Sequence, residues 1–276
     1  MADPAYVAAR AVLLDAFGAL EPHLGALILV GAQAVYLRAG EGELAVAPYT
    51  TDGDIAIDPG LLAKEPELAK AMAGALFQVS TEVGRWLAER TIDGKQYLVP
   101  VDLLVPAAVG GSGRRGARLE GHNSRAARKV AGLEACLVDN DPIEIGALAA
   151  SDPRKYTVRV AGPAALLVAK VQKIADRAGT PDRTRDKDAL DIYRLLRAGS
   201  SEDIAMRLKR CLEDSVAHEA TTRALERGAS LFADKGSPGS LMASRAAGGS
   251  AEVALGTSIL VSDALAAVRS PRSEKR

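Results

Sequence analysis

Thr51-Asp52-Gly53-Asp54-Ile55-Ala56-Ile57 sets two carboxylates two residues apart at the start of an apolar run. In a strand, side chains alternate between faces, so residues two apart share one. Asp52 and Asp54 are therefore expected to project together. Carboxylates held that close repel each other unless a cation sits between them. Hard oxygen donors at this spacing suit Mg²⁺, which takes one or two carboxylates plus substrate phosphates. Taken alone, Thr-Asp-Gly-Asp also suits a polar turn. The surroundings favour the strand. An apolar run, Ala26-Leu27-Ile28-Leu29-Val30, precedes it and breaks at Gly31-Ala32. A third carboxylate, Asp102, lies inside Tyr97-Leu98-Val99-Pro100-Val101-Asp102-Leu103-Leu104-Val105. An aspartate in a buried strand is costly without a partner or a metal. Together the three aspartates are expected to form a two-metal site for phosphoryl or nucleotidyl transfer.

Composition bounds the remaining options. The 276 residues carry 35 basic and 35 acidic side chains, a formal net charge of zero. The length allows one large domain or two smaller ones. Hydrophobic residues make up 48%, which excludes wholesale disorder. Aromatics are only 4% and alanine is abundant, so helices and small-residue packing are expected. Zero net charge gives no global attraction to nucleic acid, so any basic surface is local. Cys136 and Cys211 stand far apart and match neither a metal spacing nor a disulfide framework. That usage fits a reducing, cytoplasmic setting. His23, His122 and His218 are scattered, which suits neither zinc chemistry nor a Ser-His-Asp triad. Met1-Ala2-Asp3-Pro4 lacks the features of a signal peptide, and no run reads as long enough to span a bilayer, so no membrane partner is expected.

Periodicity places the elements. Helical spacing runs from about Ala5 to Leu20. Residues 26–30 read as a buried strand, Ala32 to Leu37 as the next helix, and Gly40-Glu41-Gly42 as its close. Asp52–Ile57 reads as a strand ended by Asp58-Pro59-Gly60. Leu61 to Phe77 reads as a helix. Thr91 to Val105 reads as a hairpin turned at Asp93-Gly94. Leu133–Val138 and Ile143–Leu148 read as short strands. A strong helix is expected from Ala164 to Arg177 after Gly162-Pro163. A polar loop at Gly179-Thr180-Pro181-Asp182 leads to another helix through Asp188, Asp191 and Leu196. A helix start at Ser201-Glu202-Asp203 opens a helical stretch to about Phe232. The Gly- and Ser-rich segment 237–250 reads as loose, and Ala251–Val268 as a final helix. The expected division is a core over 1–150, a helical domain over 151–268 and a disordered tail over 269–276.

The order of strand, Gly31, helix, Asp52-x-Asp54 and then Asp102 resembles the core of the polymerase-β-type nucleotidyltransferases. Ala169-Lys170, Arg177 and Lys187-Asp188-Ala189-Leu190-Asp191-Ile192-Tyr193 resemble the helical half of the AbiEii-like nucleotidyltransferase toxins. The resemblance covers roughly residues 25–200. It implies an α/β (α+β) fold: a mixed sheet flanked by helices, followed by a helical C-terminal half. It implies Mg²⁺ on Asp52, Asp54 and Asp102, with Lys170 and Asp188 completing the catalytic set. Gly31, Ala32, Thr51, Arg177 and Asp191 would bind substrate. The activity implied is transfer of a nucleoside monophosphate from an NTP to an acceptor hydroxyl, such as an RNA (tRNA) 3′ end, with an antitoxin as protein partner. Two departures stand out. The family's usual Gly-Ser or Gly-Gly is Gly31-Ala32 here, without a serine hydroxyl, and Lys187 stands where arginine is commoner.

Each reading has a plainer rival. Lys170 reads equally as a surface lysine snorkelling beside Lys173. Asp188 and Asp191, three apart, share a helix side. They either support Lys170 or Arg177 in a buried network or pair with Lys187 at the surface. Arg114, Arg115, Arg118, Arg125, Arg128 and Lys129 form a basic cluster after Asp102, read either as a solvated loop or as a site for RNA phosphates, with Arg114 and Arg115 as substrate contacts. The alternative for the whole chain is a catalytically degenerate member of the fold that binds a nucleotide or a partner.

Overall fold

The structure is a computed structural model and describes residues 3–40, 49–92, 94–177 and 183–270, with backbone alone at 183–185. The chain is α/β: among the described residues, eight strands form one mixed sheet, helices flank it, and the C-terminal half is helical. The strands are β1 (Leu27–Val30), β2 (Gly53–Ile57), β3 (Gln78–Val79), β4 (Arg85–Ile92), β5 (Lys95–Pro106), β6 (Arg128–Val130), β7 (Asn140–Gly146) and β8 (Lys155–Ala161). Their order is β3-β4-β5-β2-β1-β8-β7, and β6 pairs with β5. The helices are α1 (Pro4–Ala19), α2 (Gly31–Ala39), α3 (Leu68–Gly74), α4 (Pro163–Asp176), α5 (Arg183–Ala198), α6 (Ser201–Glu213), α7 (His218–Leu231), α8 (Pro238–Ala246) and α9 (Ala251–Arg269).

Local chemistry explains the main boundaries. Asp3 caps α1 by accepting from the Ala5 amide, and Pro4 occupies its first turn. Val12, Leu13, Leu14 and Phe17 of α1 are fully buried under the sheet. Gly53 faces this helix: a Cβ there would stand 3.2 Å from Leu13 Cδ1. Side chains alternate along β2, so its neighbours Asp52 and Asp54 turn to the opposite face. That face carries α2, and α4 stands across the cleft from it. Gly162-Pro163 starts α4, and Ser200 and Ser250 cap α6 and α9 through the Asp203 and Val253 amides.

Several expectations are corrected. Residues 61–77 form a helix only from Leu68 to Gly74. Pro66 supplies no amide donor, so the helix starts after it. The segment read as a strand at 133–138 is a 3₁₀ turn, Glu134–Leu137. The Glu134 carboxylate ties that turn down by accepting from Gly132 N at 2.7 Å and Ala108 N at 3.2 Å. The segment read as loose holds α8, whose Gly239, Ser240, Ala243 and Ser244 are buried. Small residues here serve close packing, with Gly239 pressed onto the Phe232 ring. β8 was not expected at all, and it joins the sheet beside β1, beyond the expected core limit at residue 150. Finally, α9 is 19 residues long and apolar enough to cross a membrane, against the sequence reading. Its Val253, Ala254, Val261 and Ala264 are buried in the helical half, whereas Leu255 and Ile259 are exposed. The closing residues 41–42, the loop 179–182 and the tail from 271 lie outside the described residues.

Candidate functional site

Strand register assembles the site. β2 and β5 are parallel, with Asp54 opposite Asp102. β4 and β5 are antiparallel, with Arg85 opposite Asp102. β1 and β2 are antiparallel, with Val30 opposite Asp54. Paired residues share a sheet face. Arg85, Asp102, Asp54 and Val30 therefore form one row across four strands, with Asp52 just before its strand. The row floors an open cleft of about 420 Å³, walled by Leu166, Ala169, Lys170, Lys173 and Arg177 of the helical half.

Asp54 is half-buried beside the first turn of α2. Gly31 opens that helix with φ +71°. A Cβ at Gly31 would stand 2.9 Å from Asp54 Cβ and Cγ and closer still to Oδ2. Glycine is thus required by backbone conformation and by the carboxylate packed over it. The Asp54 carboxyl is pushed up to about 7, chiefly by burial, then by the Asp52 charge and, less, by Asp102; Lys173 and Lys170 act in the other direction. Asp52 is held at two points. Its Oδ1 accepts from Thr50 Oγ1 at 2.5 Å, and its carbonyl accepts from Gln33 Nε2 at 2.9 Å. Gln33 in turn accepts from Arg10 Nε at 2.7 Å. Among the described residues, no ion pair reaches Asp52 or Asp54.

Asp102 is different. Its side chain is 3% exposed, and both oxygens accept from guanidinium groups: Oδ1 from Arg85 Nε at 2.9 Å, Oδ2 from Arg85 Nη2 at 3.1 Å and from Arg128 Nη2 at 2.6 Å. Among the described residues, no group of three or more His, Cys, Asp or Glu side chains is arranged to hold a metal ion. The oxygen pair Asp52 and Asp54 suits a single divalent cation; Asp102 is taken by the two arginines.

Lys170 is a buried cleft residue, not a snorkelling one. Its Nζ donates to Asp188 Oδ1 at 2.6 Å and Asp191 Oδ2 at 2.7 Å. Arg194 Nη1 takes the other Asp191 oxygen at 2.9 Å, and Lys173 stands 3.5 Å from Asp188 Oδ2. Burial alone would lower the Lys170 ammonium, but Asp188 and Asp191 outweigh it and raise it. The Asp188 carboxyl, raised by burial, is lowered on balance by Lys170 and Lys173. Arg194 also lies over the Tyr36 ring, 5.3 Å from its centroid, and the Tyr36 hydroxyl donates to Tyr49 O at 2.8 Å. Burial and Asp191 push that phenol up to about 12.

The cleft brings together Gly31, Asp52, Asp54, Asp102, Lys170 and Arg177, with Asp188 and Asp191 directly behind Lys170. Ala32 sits in the first turn of α2, half-buried. Thr51 is exposed; the buried Thr50 holds Asp52 instead. Arg114 and Arg115 are exposed and do not line the cleft, and of their basic cluster only Arg128 does. Arg85, Gln33 and Thr50 were missed in the sequence, and Lys173, weighed there as a neighbour of Lys170, lines the cleft. One signal was present for Arg85: equal steps back from the hairpin turn expected in the sequence pair residue 85 with residue 102, as the strands do.

No family model matches the chain, and neither does any curated protein. Among solved structures, the chain is similar to an antigenic nucleotidyltransferase-like protein from Paracoccidioides brasiliensis. The identity is 12% and the TM-score 0.42, over 78% of this chain and 92% of that one. So distant a likeness says nothing about individual residues.

Proposed function

We propose that the protein is a nucleotidyltransferase that moves a nucleoside monophosphate from an NTP to an acceptor hydroxyl. One observation carries this reading: Asp52 and Asp54 face a cationic wall across an open cleft, without a cation partner among the described residues. A divalent ion such as Mg²⁺, held by Asp52 and Asp54, would supply charge neutralisation for the triphosphate. Gly31 and Ala32 begin α2, whose N-cap makes no side-chain hydrogen bond, and the positive end of the helix dipole there favours phosphate oxygens. Arg85, Arg128, Lys173 and Arg177 add positive charge along the cleft, and Arg forks match phosphate geometry. Lys170 fixes the helical wall through Asp188 and Asp191. Thr50 and Gln33 orient Asp52. An RNA (tRNA) 3′ end as acceptor, a toxin role and an antitoxin partner rest on the sequence resemblance to the AbiEii-like family, as does a cytoplasmic setting on cysteine usage.

The test is incubation with each labelled NTP, Mg²⁺ and total cellular RNA or protein, with Asp54→Asn as control. Label transferred by the wild type and lost in the variant supports the reading. A second reading, a degenerate nucleotide-binding module, draws on the arginines that occupy Asp102. Metal-dependent NTP binding without transfer to any acceptor would favour it.

A further inference from the structure

The third carboxylate of the row is already neutralised, and the sheet fixes how. Arg85 is the cross-strand partner of Asp102. Arg128 pairs with Leu104, two residues on along β5, so it shares the face of Asp102. The chain joins these two arginines tightly. Gly84, with φ +76°, leaves no room for a Cβ, which would stand 2.6 Å from Arg128 N and 2.7 Å from Leu103 O. Arg85 is anchored further by Glu82, its Nη1 3.0 Å from Oε1. Glu82 balances one of the two guanidinium charges, but its carboxylate is exposed and outside the cleft lining, so two guanidiniums and one carboxylate face the cleft itself. Arg128 Nε is buried with no hydrogen-bond partner, and the side chain lines the cleft. A buried donor without an acceptor is costly, and a ligand oxygen would satisfy it.

Resting on the nucleotidyltransferase reading, we propose that the cleft takes one divalent cation, on Asp52 and Asp54, and that Arg85 and Arg128 stand in for a second ion as the phosphate-binding group. Asp102 is then a positioning residue that holds the two guanidiniums. A second ion on Asp102 would have to displace both guanidiniums and would still face their charge at a few ångströms. Planar guanidinium forks bind phosphate oxygens in pairs, which gives this end of the cleft a preference for a phosphate-bearing ligand.

The experiment is titration of the full chain with Mn²⁺, alone and with α,β-methylene analogues of the four NTPs, read by calorimetry and electron paramagnetic resonance. One magnetically isolated Mn²⁺ per chain is expected in both conditions. Asp54→Asn should weaken Mn²⁺ binding at least tenfold, and Asp102→Asn less than threefold. Arg85→Gln with Arg128→Gln frees Asp102, and a second, coupled Mn²⁺ should then appear. Arg128→Lys, which keeps the charge and removes the fork, should weaken analogue binding about tenfold with Mn²⁺ stoichiometry unchanged. Two coupled ions in the wild type overturn the inference and leave the nucleotidyltransferase reading standing. Absence of any bound Mn²⁺ overturns both. Unchanged analogue affinity in Arg128→Lys overturns the phosphate role of the arginines.

Discussion

Two pairs of aspartates sit on either side of the cleft and have opposite electrostatics. Asp52 and Asp54 on the sheet side have no ion pair among the described residues, and burial with mutual repulsion pushes Asp54 up to about 7. Asp188 and Asp191 on the helix side are more deeply buried, yet Lys170 and Arg194 hold them at 2.6–2.9 Å. Spacing alone does not separate the pairs. A strand aims residues i and i+2 at one face, and a helix aims i and i+3 at one side. What differs is the supply of cations from neighbouring elements. A compensated pair is architecture. An uncompensated pair facing an open cleft stores repulsion that a bound cation relieves.

Four predictions break or sharpen this contrast. The largest effect is expected for Lys170→Met. Removing one partner of a buried ion pair costs about 3–5 kcal/mol because the remaining charges stay buried. Urea unfolding measures it, and adding Asp188→Asn should recover part of the loss. A cost below about 1 kcal/mol would mean that the helix-side network is not structural. Next is Gly31→Ala. It meets both a positive φ and the Asp54 carboxylate, and should cost about 1–3 kcal/mol by thermal unfolding. A neutral result would show that Asp54 is free to move aside.

Asp54→Asn should have the opposite sign. The folded state holds the Asp54 proton more tightly than the unfolded chain, so wild-type stability falls as pH rises from about 4 towards 7. The variant escapes this. Without metal it should match the wild type near pH 4 and exceed it by about 1–2 kcal/mol at pH 8, a figure discounted for the water reaching a half-buried group. Its nucleotidyl transfer should be lost. A stability gain independent of pH would refute the repulsion account. The smallest effect is expected for Arg114→Ala with Arg115→Ala. Both side chains are exposed and outside the cleft lining, so stability should change by no more than about 0.5 kcal/mol and NTP binding not at all. RNA labelling should fall if these arginines guide the acceptor, and gel-based labelling assays at two salt concentrations would measure it.

Much of the site was legible because its residues sit in short-range patterns. Asp52-x-Asp54 after an apolar run and before Ile55-Ala56-Ile57 shows the strand and its polar face. Asp102 in an apolar run is conspicuous because burial of a carboxylate is costly. Lys170 with Asp188 and Asp191 was legible only as alternatives, since helical spacing puts them on one side without saying whether that side is buried. Arg85 and Arg128 were not recognised as partners of Asp102. Their relation depends on how β4 and β6 pair along one edge of β5. The α8 helix was missed because its small residues look like a loop until the Phe232 ring they pack against is known.

By itself the sequence determined the elements that local chemistry encodes: helices α1, α4 and α9, the apolar strands β1, β2 and β5, and the shared face of Asp52 and Asp54. Only the tertiary structure decided which carboxylates are neutralised. That depends on strand order, on register and on the packing of α5 against α4 and α2. Side-chain periodicity says which way a charge points within its own element. Coulomb interactions fall off with distance and not with sequence separation, so the Arg128 partner of Asp102, across 26 residues of chain, becomes visible only when the sheet is assembled.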